Sequence, residues 1–250
     1  MALSDPTGYA STYGAYVATK SKITAQLTAT TQYSATASAY QITANGTTFN
    51  TNPATTAEIA STSYTSVTGK VTDSRGFSSD TVTQSISILA YTLPQVNGFV
   101  IHRCQQDGTL DDSGAYMRVD YDVAITALNN INSKALVLKY KKRADASYTS
   151  VTVTLTAYTQ SGHVIVANID TNYTYDVQLE LTDDFSTTAV ILQLSTAFAT
   201  LNFKSSGKGI SVGKVSETDN VFELAQGWSL KMGNTTLSEA ELAALKLLIV

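Results

Sequence analysis

Short segments in which apolar and polar residues alternate recur along most of the chain. Residues 21–27 illustrate the pattern, because Ile23, Ala25 and Leu27 would lie on one face of a strand. Clusters of Gly, Asn, Asp and Ser separate such segments at intervals of roughly 8–12 residues, a spacing typical of β-sandwich proteins. The pattern therefore predicts an all-β fold built of many short strands.

The first third of the chain contains further segments of this kind. Residues 33–42 predict a strand, and the pair Asn45-Gly46 that follows predicts a tight turn, because both residues tolerate positive φ. A polar hairpin loop is predicted at residues 73–77. The strands on either side of it are predicted from the apolar residues Val67, Val71, Val82, Ile86 and Ile88.

A partial internal repeat indicates the number of domains. Residues 67–73 and 177–183 both alternate, both end in Thr-Asp, and both lead through a loop containing a phenylalanine into another strand. Each copy has the pattern of the last two strands of an immunoglobulin-like sandwich. Pro94 lies between the copies, where it predicts a short extended connection. We predict a linker at residues 1–15, an Ig-like sandwich at 16–93, and a second Ig-like or fibronectin-like sandwich at 94–203. A small β-hairpin module with a short helix is predicted at 204–250, as a candidate oligomerisation element.

The second predicted sandwich contains enough alternating segments for a complete set of strands. Seven are expected, as in an immunoglobulin-like domain. They cover residues 99–104, 116–125, 135–141, 151–155, 164–169, 177–183 and 190–194.

The end of the chain has a different pattern. Short strands with glycines between them are predicted after residue 203, too little to fold alone. Ser238 and Glu241 then form a capping-box motif, which predicts the start of a short C-terminal helix. The helix would carry an apolar stripe of Leu242, Leu245 and either Leu248 or Ile249. Self-association of chains, or packing onto the second domain of the same chain, would each bury this stripe.

Composition and charge exclude several classes of protein. Charged residues make up only 14% of the 250 residues and the formal net charge is −4, so nucleic acid binding is not expected. No secretory signal and no membrane-spanning segment are predicted. The single cysteine excludes an intrachain disulfide. These features favour a protein made in a bacterial cytoplasm and used outside it, as virion proteins are, although an export signal removed from the chain would also explain them.

The sequence offers little for catalysis. His102 and His163 lie in different predicted strands, and neither belongs to a nucleophile or zinc motif. His102 and Cys104 would face the same way on one strand, but two ligands do not make a metal site. We therefore predict a protein that is not an enzyme, without catalytic residues, metal or cofactor.

A glycan-cleaving enzyme would need two carboxyl groups that face each other across a cleft. The sequence offers only Asp111 or Asp112 with Asp183 or Asp184 for this role. Nothing in the sequence brings these residues together.

An acidic loop is the first of three candidate ligand sites. Its residues Asp107, Asp111 and Asp112 have carboxylates that suit calcium. The loop lacks the spacing and terminal Glu of an EF-hand, however, and fits a solvated hairpin turn as well.

Basic and aromatic residues form the other two candidates. The run Lys141, Lys142 and Arg143 suits an anionic glycan or polymer, and it also suits a charged strand edge that discourages unwanted pairing. Trp228 is the single tryptophan of the chain, and it would either stack on a sugar ring or pack in the core of the last module.

Several motifs together resemble a known family. The motifs are residues 40–42 before Asn45-Gly46, residues 71–76 (Val-Thr-Asp-Ser-Arg-Gly), residues 88–91 before Pro94, and Arg103 with Asp107-Gly108 and residues 114–116. The combination is similar to a domain-of-unknown-function family of minor structural proteins from siphophages of Gram-positive bacteria. Residues 207–214 and 234–237 are similar to the ends of many phage tail fibres.

The resemblance implies a tail or baseplate component of the virion and offers no catalytic residues. It also implies contacts with other tail proteins, attachment to host cell-wall polysaccharide or another surface polymer, and homo-oligomers that are often trimers. We therefore expect a virion tail protein, such as a tail fibre, that binds the bacterial surface multivalently. The alternatives are a bacterial cell-surface adhesin or stalk module, and a glycan-degrading tail enzyme.

Overall fold

The structure is a computed structural model that describes residues 1–197, 200–225, 228–238 and 240–241. Strands make up 46% of the chain and helix 3%, which confirms the predicted all-β fold. Helix α1 comprises Tyr9–Tyr13, and residues 240–241 are also helical. The strands form two sandwiches and a smaller C-terminal set of sheets.

The first sandwich contains two main sheets. One sheet has β1 (Ala2–Ser4), β3 (Thr24–Gln26) and β6 (Ala54–Thr55) in the order β1-β3-β6. The other has β4 (Ala37–Ala44), β5 (Thr47–Phe49), β7 (Ser66–Asp73) and β8 (Val82–Ser85) in the order β5-β4-β7-β8. A parallel pair adds β2 (Tyr16–Val17) and β9 (Ile88–Leu89). The predicted inward face of residues 21–27 is confirmed, since Ile23, Ala25 and Leu27 are buried in one cluster with Ile42 and Val67.

Two strand predictions in this sandwich have the wrong bounds. Strand β4 begins at Ala37 rather than at residue 33, because Tyr33 and Ser34 have positive φ (55° and 59°) and cannot continue a strand. The segment predicted as the last strand forms two short strands, β8 and β9. The turn predicted at Asn45 and Gly46 is confirmed, with φ of 49° and 72° between β4 and β5.

The linker predicted at residues 1–15 is wrong. Strand β1 pairs with β3, and α1 follows a turn that the carboxylate of Asp5 organises. This carboxylate accepts hydrogen bonds from the backbone N–H groups of Thr7 at 3.0 Å, Ala10 at 2.9 Å and Lys22 at 3.3 Å. One side chain thus ties the start of the helix to the strand region that follows it.

The second sandwich contains seven antiparallel strands. The smaller sheet has β10 (Gln95–Cys104), β11 (Tyr116–Ala124) and β14 (Thr159–Val166) in the order β10-β11-β14. The larger has β12 (Ala135–Lys142), β13 (Thr149–Val153), β15 (Tyr175–Thr182) and β16 (Thr187–Leu194) in the order β13-β12-β15-β16. Each of the seven predicted segments overlaps one of these strands. Their inward residues, among them Val119, Leu138 and Leu179, form one buried cluster.

The two Thr-Asp segments of the internal repeat end in similar turns. Asp73 accepts a hydrogen bond from the N–H of Phe77 at 3.0 Å. Asp183 accepts hydrogen bonds from the N–H groups of Phe185 at 2.8 Å and Ser186 at 2.9 Å. The shared aspartate therefore organises each hairpin loop. The domain boundary at residues 93 and 94 stays a prediction.

A third buried cluster, here called the junction cluster, joins residues of both sandwiches. Its fully buried members are Tyr13, Val17 and Leu128. The partly buried aromatic rings of Tyr91 and Phe185 pack against them, with 4.9 Å between the two ring centroids. The first sandwich is thereby packed against the loops of the second.

The C-terminal part contains a small sheet and a hairpin. The sheet has β17 (Leu201–Phe203), β18 (Ile210–Val212) and β19 (Phe222–Leu224) in this order, and β18 runs parallel to β19. The hairpin has β20 (Leu230–Met232) and β21 (Thr235–Leu237). The capping-box bonds are present: Ser238 N–H donates to the Glu241 carboxylate at 2.8 Å, and Glu241 N–H donates to Ser238 Oγ at 3.4 Å. Residues 240–241 are helical, and the apolar stripe predicted from Leu242 onward lies outside the described residues.

Candidate functional site

An open groove lies on the first sandwich, between the hairpin of β7 and β8 and the segment that follows β3. We call it the β7–β8 groove. Its volume is about 420 Å³. Residues from both sides line it, including Thr28, Thr30, Gln32, Lys70, Phe77 and Asp80.

The hairpin loop holds Phe77 at the groove by a set of short contacts. Asp73 Oδ1 accepts hydrogen bonds from the N–H groups of Arg75 at 2.9 Å and Phe77 at 3.0 Å. The Arg75 guanidinium pairs with Asp73 Oδ2 at 2.8 Å and lies 5.7 Å from the centre of the Phe77 ring. The hydrogen bond from Arg75, followed by that from the Phe77 N–H, lowers the pKa of the Asp73 carboxyl. The carboxylate therefore stays charged and keeps the loop ordered at neutral pH.

The groove combines an exposed aromatic ring with hydrogen-bonding side chains. Phe77 is 71% exposed, and Val82 beside it is also exposed. Thr28, Thr30 and Gln32 offer hydroxyl and amide groups to solvent on the other side. An apolar ring next to donors and acceptors is suited to a ligand with C–H faces and hydroxyl groups, such as a sugar chain.

None of the residues predicted to bind ligand lines the β7–β8 groove. In the acidic loop, Asp107 accepts the N–H of Thr109 at 2.9 Å, and this bond lowers the pKa of its carboxyl. Asp111 accepts the N–H of Ser113 at 2.8 Å. Asp112 lines a polar crevice beside the C-terminal sheet. In the described part of the chain, no three His, Cys, Asp or Glu side chains come together as a metal site.

The basic run is occupied by contacts within the chain. Lys141 Nζ donates to the carbonyl of Asp145 at 2.8 Å. Lys142 Nζ pairs with Asp170 at 3.4 Å and lies 3.7 Å from the centre of the Tyr173 ring. Arg143 is exposed and donates to the side chain of Gln193 at 3.3 Å. These contacts are those of a charged strand end, so they give no particular support to an anion site.

Trp228 packs against the C-terminal sheet. A Cβ placed on Gly213 would lie 2.6 Å from the indole ring, so the ring covers the backbone at this glycine. Trp228 is partly buried, and its backbone N–H donates to the carbonyl of Ala225 at 3.1 Å. Two roles were predicted for Trp228, stacking on a sugar ring or packing in the last module. This contact supports packing.

The carboxylates nominated for glycan cleavage lie at opposite ends of the second sandwich. Arg103 joins the loop of Asp111 to the segment before β15, since its backbone carbonyl accepts the Asp111 N–H at 3.1 Å and its side chain donates to Tyr173 O at 3.2 Å. Asp183 directly follows the other end of β15. A strand of eight residues spans roughly 25 Å, so the two acids do not face each other.

Arg103 has a structural role that the charge pattern did not indicate. The side chain is buried, and it donates to the carbonyls of Ser195 at 3.0 Å, Gly114 at 3.2 Å and Asp170 at 3.3 Å in addition to Tyr173. It thereby ties three loops together where the chain leaves the second sandwich.

The β7–β8 groove was also not predicted from the sequence, although one sequence motif contributes residues to its lining. Residues 71–76 are the most specific part of the resemblance described above, and Val71 and Asp73 line the groove. The opposite wall, residues 28–32, has no period or motif that would have placed it beside a hairpin some forty positions later.

Comparison with known proteins decides the family. A family described as a siphovirus protein of unknown function (DUF859) matches residues 10–222. The chain belongs to this siphovirus family. The predicted resemblance is therefore confirmed, and membership indicates a bacteriophage protein of structural type. No curated protein matches the sequence.

Solved structures similar to this siphovirus protein are distant in sequence. One is described as a Ca²⁺-stabilized adhesin that helps an Antarctic bacterium reach out and bind ice, with 12% identity, a TM-score of 0.41, and coverage of 76% of this chain and 48% of the adhesin chain. The siphovirus chain thus spans about half the length of that adhesin chain.

Two chicken proteins are also similar. The FN1–FN3 domains of CNTN1 have 13% identity, a TM-score of 0.27, and coverage of 70% of this chain and 64% of that one. The interferon gamma receptor alpha chain has 9% identity, a TM-score of 0.30, and coverage of 78% and 97%. In the described part of the siphovirus chain, no helix is both long and apolar enough to cross a membrane.

Proposed function

We propose that this siphovirus protein is a component of the phage tail or baseplate that contacts the surface polysaccharide of the host bacterium. Membership in a siphovirus family supports a place in the virion. The observation that carries the proposal of surface contact is the β7–β8 groove, with the exposed ring of Phe77 beside hydroxyl and amide side chains.

The open shape of the groove suits a polymer better than a small molecule. A site that encloses a small ligand usually buries most of its surface, whereas Phe77 is 71% exposed. One such contact is weak by itself. Several copies on one particle would bind together. Once one copy is bound, the others are held near the polymer at a high effective concentration, which can increase avidity by about 10²–10⁴-fold. Other tail proteins would hold these copies on the virion.

The proposal is tested with fluorescently labelled protein and intact host cells. Binding is measured by flow cytometry before and after surface polysaccharide is stripped from the cells. Phe77→Ala removes the exposed ring from the groove. Ile191→Ala is the matched control, because Ile191 is an exposed apolar residue on the second sandwich, away from the groove.

We expect binding to untreated cells, loss of binding after stripping, and at least a fivefold weaker signal for Phe77→Ala than for Ile191→Ala. Absence of binding to untreated host cells would contradict the proposed function. Binding that survives stripping would contradict the polysaccharide ligand, and equal binding by both variants would contradict the groove.

A further inference from the structure

The C-terminal sheet of β17, β18 and β19 has its apolar face toward solvent. In an ordinary sheet of a soluble protein, the apolar face packs against the core. Residues directly opposite each other on paired strands lie on the same face. Phe203 is paired with Ile210, and Ile210 with Phe222. The next row on the same face contains Leu201, Val212 and Leu224. We call this surface the apolar face.

Four of the six residues of the apolar face are exposed in the described part of the chain, whereas Val212 and Leu224 are half-buried. Phe203 is 66% exposed and Phe222 is 57% exposed, and Leu201 and Ile210 are also exposed. Since a Phe side chain presents roughly 150–250 Å², the two Phe residues alone leave about 250 Å² uncovered. With Leu201 and Ile210, the face is comparable to the largest apolar patches of single-chain proteins, about 300–600 Å².

The reverse face of the same sheet is polar and covered by the chain itself. Ser211 is fully buried there, and its hydroxyl donates to the carbonyl of Lys214 at 2.5 Å. Glu223, its register partner, accepts the N–H groups of Glu217 at 2.9 Å and Thr218 at 2.7 Å and pairs with Lys214 Nζ at 2.6 Å.

These contacts hold residues 214–218 against the polar reverse face of the sheet. The hydrogen bond from Lys214, the largest influence, lowers the pKa of Glu223 to about 2, so the ion pair persists at any physiological pH. Residues 214–218 are therefore held on the polar side of the sheet and do not cover the apolar face.

We propose that the apolar face is covered by the same face of another copy of this chain. The six residues of the face carry no charge, so two identical faces meet without like-charge repulsion. Three strands of three residues each are also too small to be stable as a single layer, and a second copy supplies the missing layer. A standard interface needs about 800 Å² from each partner, so this face would form the apolar centre of a larger contact.

This inference goes beyond the proposed function, because a chain could bind polysaccharide without self-association. It also narrows the expectation that the C-terminal module at residues 204–250 joins the chains. The apolar face lies within residues 201–224, whereas the apolar stripe of the predicted helix begins at Leu242.

The test is the mass of the purified full chain in solution, measured by light scattering without cells or polymer. Phe203→Ser with Phe222→Ser removes the two largest side chains of the face and leaves the polar reverse side unchanged. Phe77→Ser is the matched control, because Phe77 is an exposed Phe outside the sheet. The fluorescence of Trp228, the single tryptophan, reports whether the module stays folded in each variant.

We expect the wild type and Phe77→Ser to have a multiple of the single-chain mass of 26.6 kDa, and the double variant to have that mass itself. A wild type of single-chain mass would overturn the proposal and favour residues of the same chain as the cover. A double variant that keeps the multiple mass would also overturn it.

A second measurement applies if the double variant loses the Trp228 signal. Phe203→Cys places a thiol on the apolar face, and Ile191→Cys places one on the second sandwich, while the native Cys104 is buried. With a short bifunctional maleimide, we expect cross-linked chains from Phe203→Cys and none from Ile191→Cys. Absence of cross-linking at position 203 would overturn the proposal.

Discussion

The hydroxyl of Tyr13 donates a hydrogen bond to the carboxylate of Asp184 at 2.7 Å, across 171 positions of sequence. Tyr13 ends the short helix α1, and Asp184 lies in the last hairpin loop of the second sandwich. The Tyr13 ring is 2% exposed and lies 5.7 Å from the ring of Phe185. The N-terminal segment is thus part of the junction cluster that holds the two sandwiches together.

Tyr13→Phe should lower stability without changing the fold. The substitution keeps the buried ring and removes the hydrogen bond, so we expect the free energy of unfolding to fall by about 1–2 kcal/mol. Urea denaturation followed by circular dichroism measures this change. Tyr33→Phe is the control, since Tyr33 is 86% exposed and should change stability by less than about 0.5 kcal/mol. Equal stabilities of the two variants would contradict the role of the junction.

Stability should depend on pH through Asp184. Burial raises the pKa of this carboxyl, but hydrogen bonds from Tyr13 and Ser133 outweigh it and leave the pKa below the ordinary value of 3.8. A carboxyl with a lowered folded-state pKa stabilises the fold above its unfolded pKa, and this stabilisation is lost as the pH falls through the folded pKa. We expect Asp184→Asn to be less stable than the wild type at pH 7, with the difference shrinking below about pH 4. Thermal unfolding from pH 7 to pH 3 measures both, and a constant difference would contradict this account.

Arg103→Gln should be among the most destabilising single changes in the second sandwich. The buried guanidinium satisfies four backbone carbonyls. A shorter side chain would leave several of them without a donor, at a cost of about 2–4 kcal/mol. Arg143→Gln is the control, because Arg143 is exposed and should cost less than about 0.5 kcal/mol. Denaturation midpoints compare the two, and similar midpoints would show that Arg103 does not tie the loops together.

Gly213→Ala should disturb the C-terminal sheet more than Gly207→Ala. Both glycines have positive φ, 80° and 72°, so both substitutions carry a backbone cost of about 1 kcal/mol. Only at Gly213 would the added methyl also meet the Trp228 ring, at 2.6 Å, whereas nothing lies within 4 Å at Gly207. We expect a shifted Trp228 emission spectrum for Gly213→Ala alone. The same spectrum in both variants would contradict the packing of Trp228 on Gly213.

The strands could be predicted from the sequence because their signal is local. Alternation along β3, β7 and β15 directly reflects which side chains face the core, and the turn at Asn45 and Gly46 needs only two residues with positive φ. The segment before residue 16 could not be predicted in this way. Its helix has five residues, too few for a helical period, and Gly8 and Gly14 at its ends look like linker glycines although they hold φ of 83° and 75°.

The β7–β8 groove and the junction cluster depend on contacts between distant segments. Phe77 was recognised only as part of a hairpin loop, and its exposure beside residues 28–32 follows from how the two sheets pack. The acidic loop and the basic run could be predicted as candidate sites because clusters of charge are visible in the sequence without knowledge of the fold. In the structure, Asp107 and Lys142 are largely occupied by their own neighbours.

The most direct test of host contact is competition with the phage itself. Host cells are incubated with excess purified protein, and the adsorption rate of the siphophage that encodes this chain is then measured. We predict that the wild type and Ile191→Ala slow adsorption at least fivefold and that Phe77→Ala leaves the rate within twofold of untreated cells. An unchanged adsorption rate with saturating wild-type protein would contradict the account.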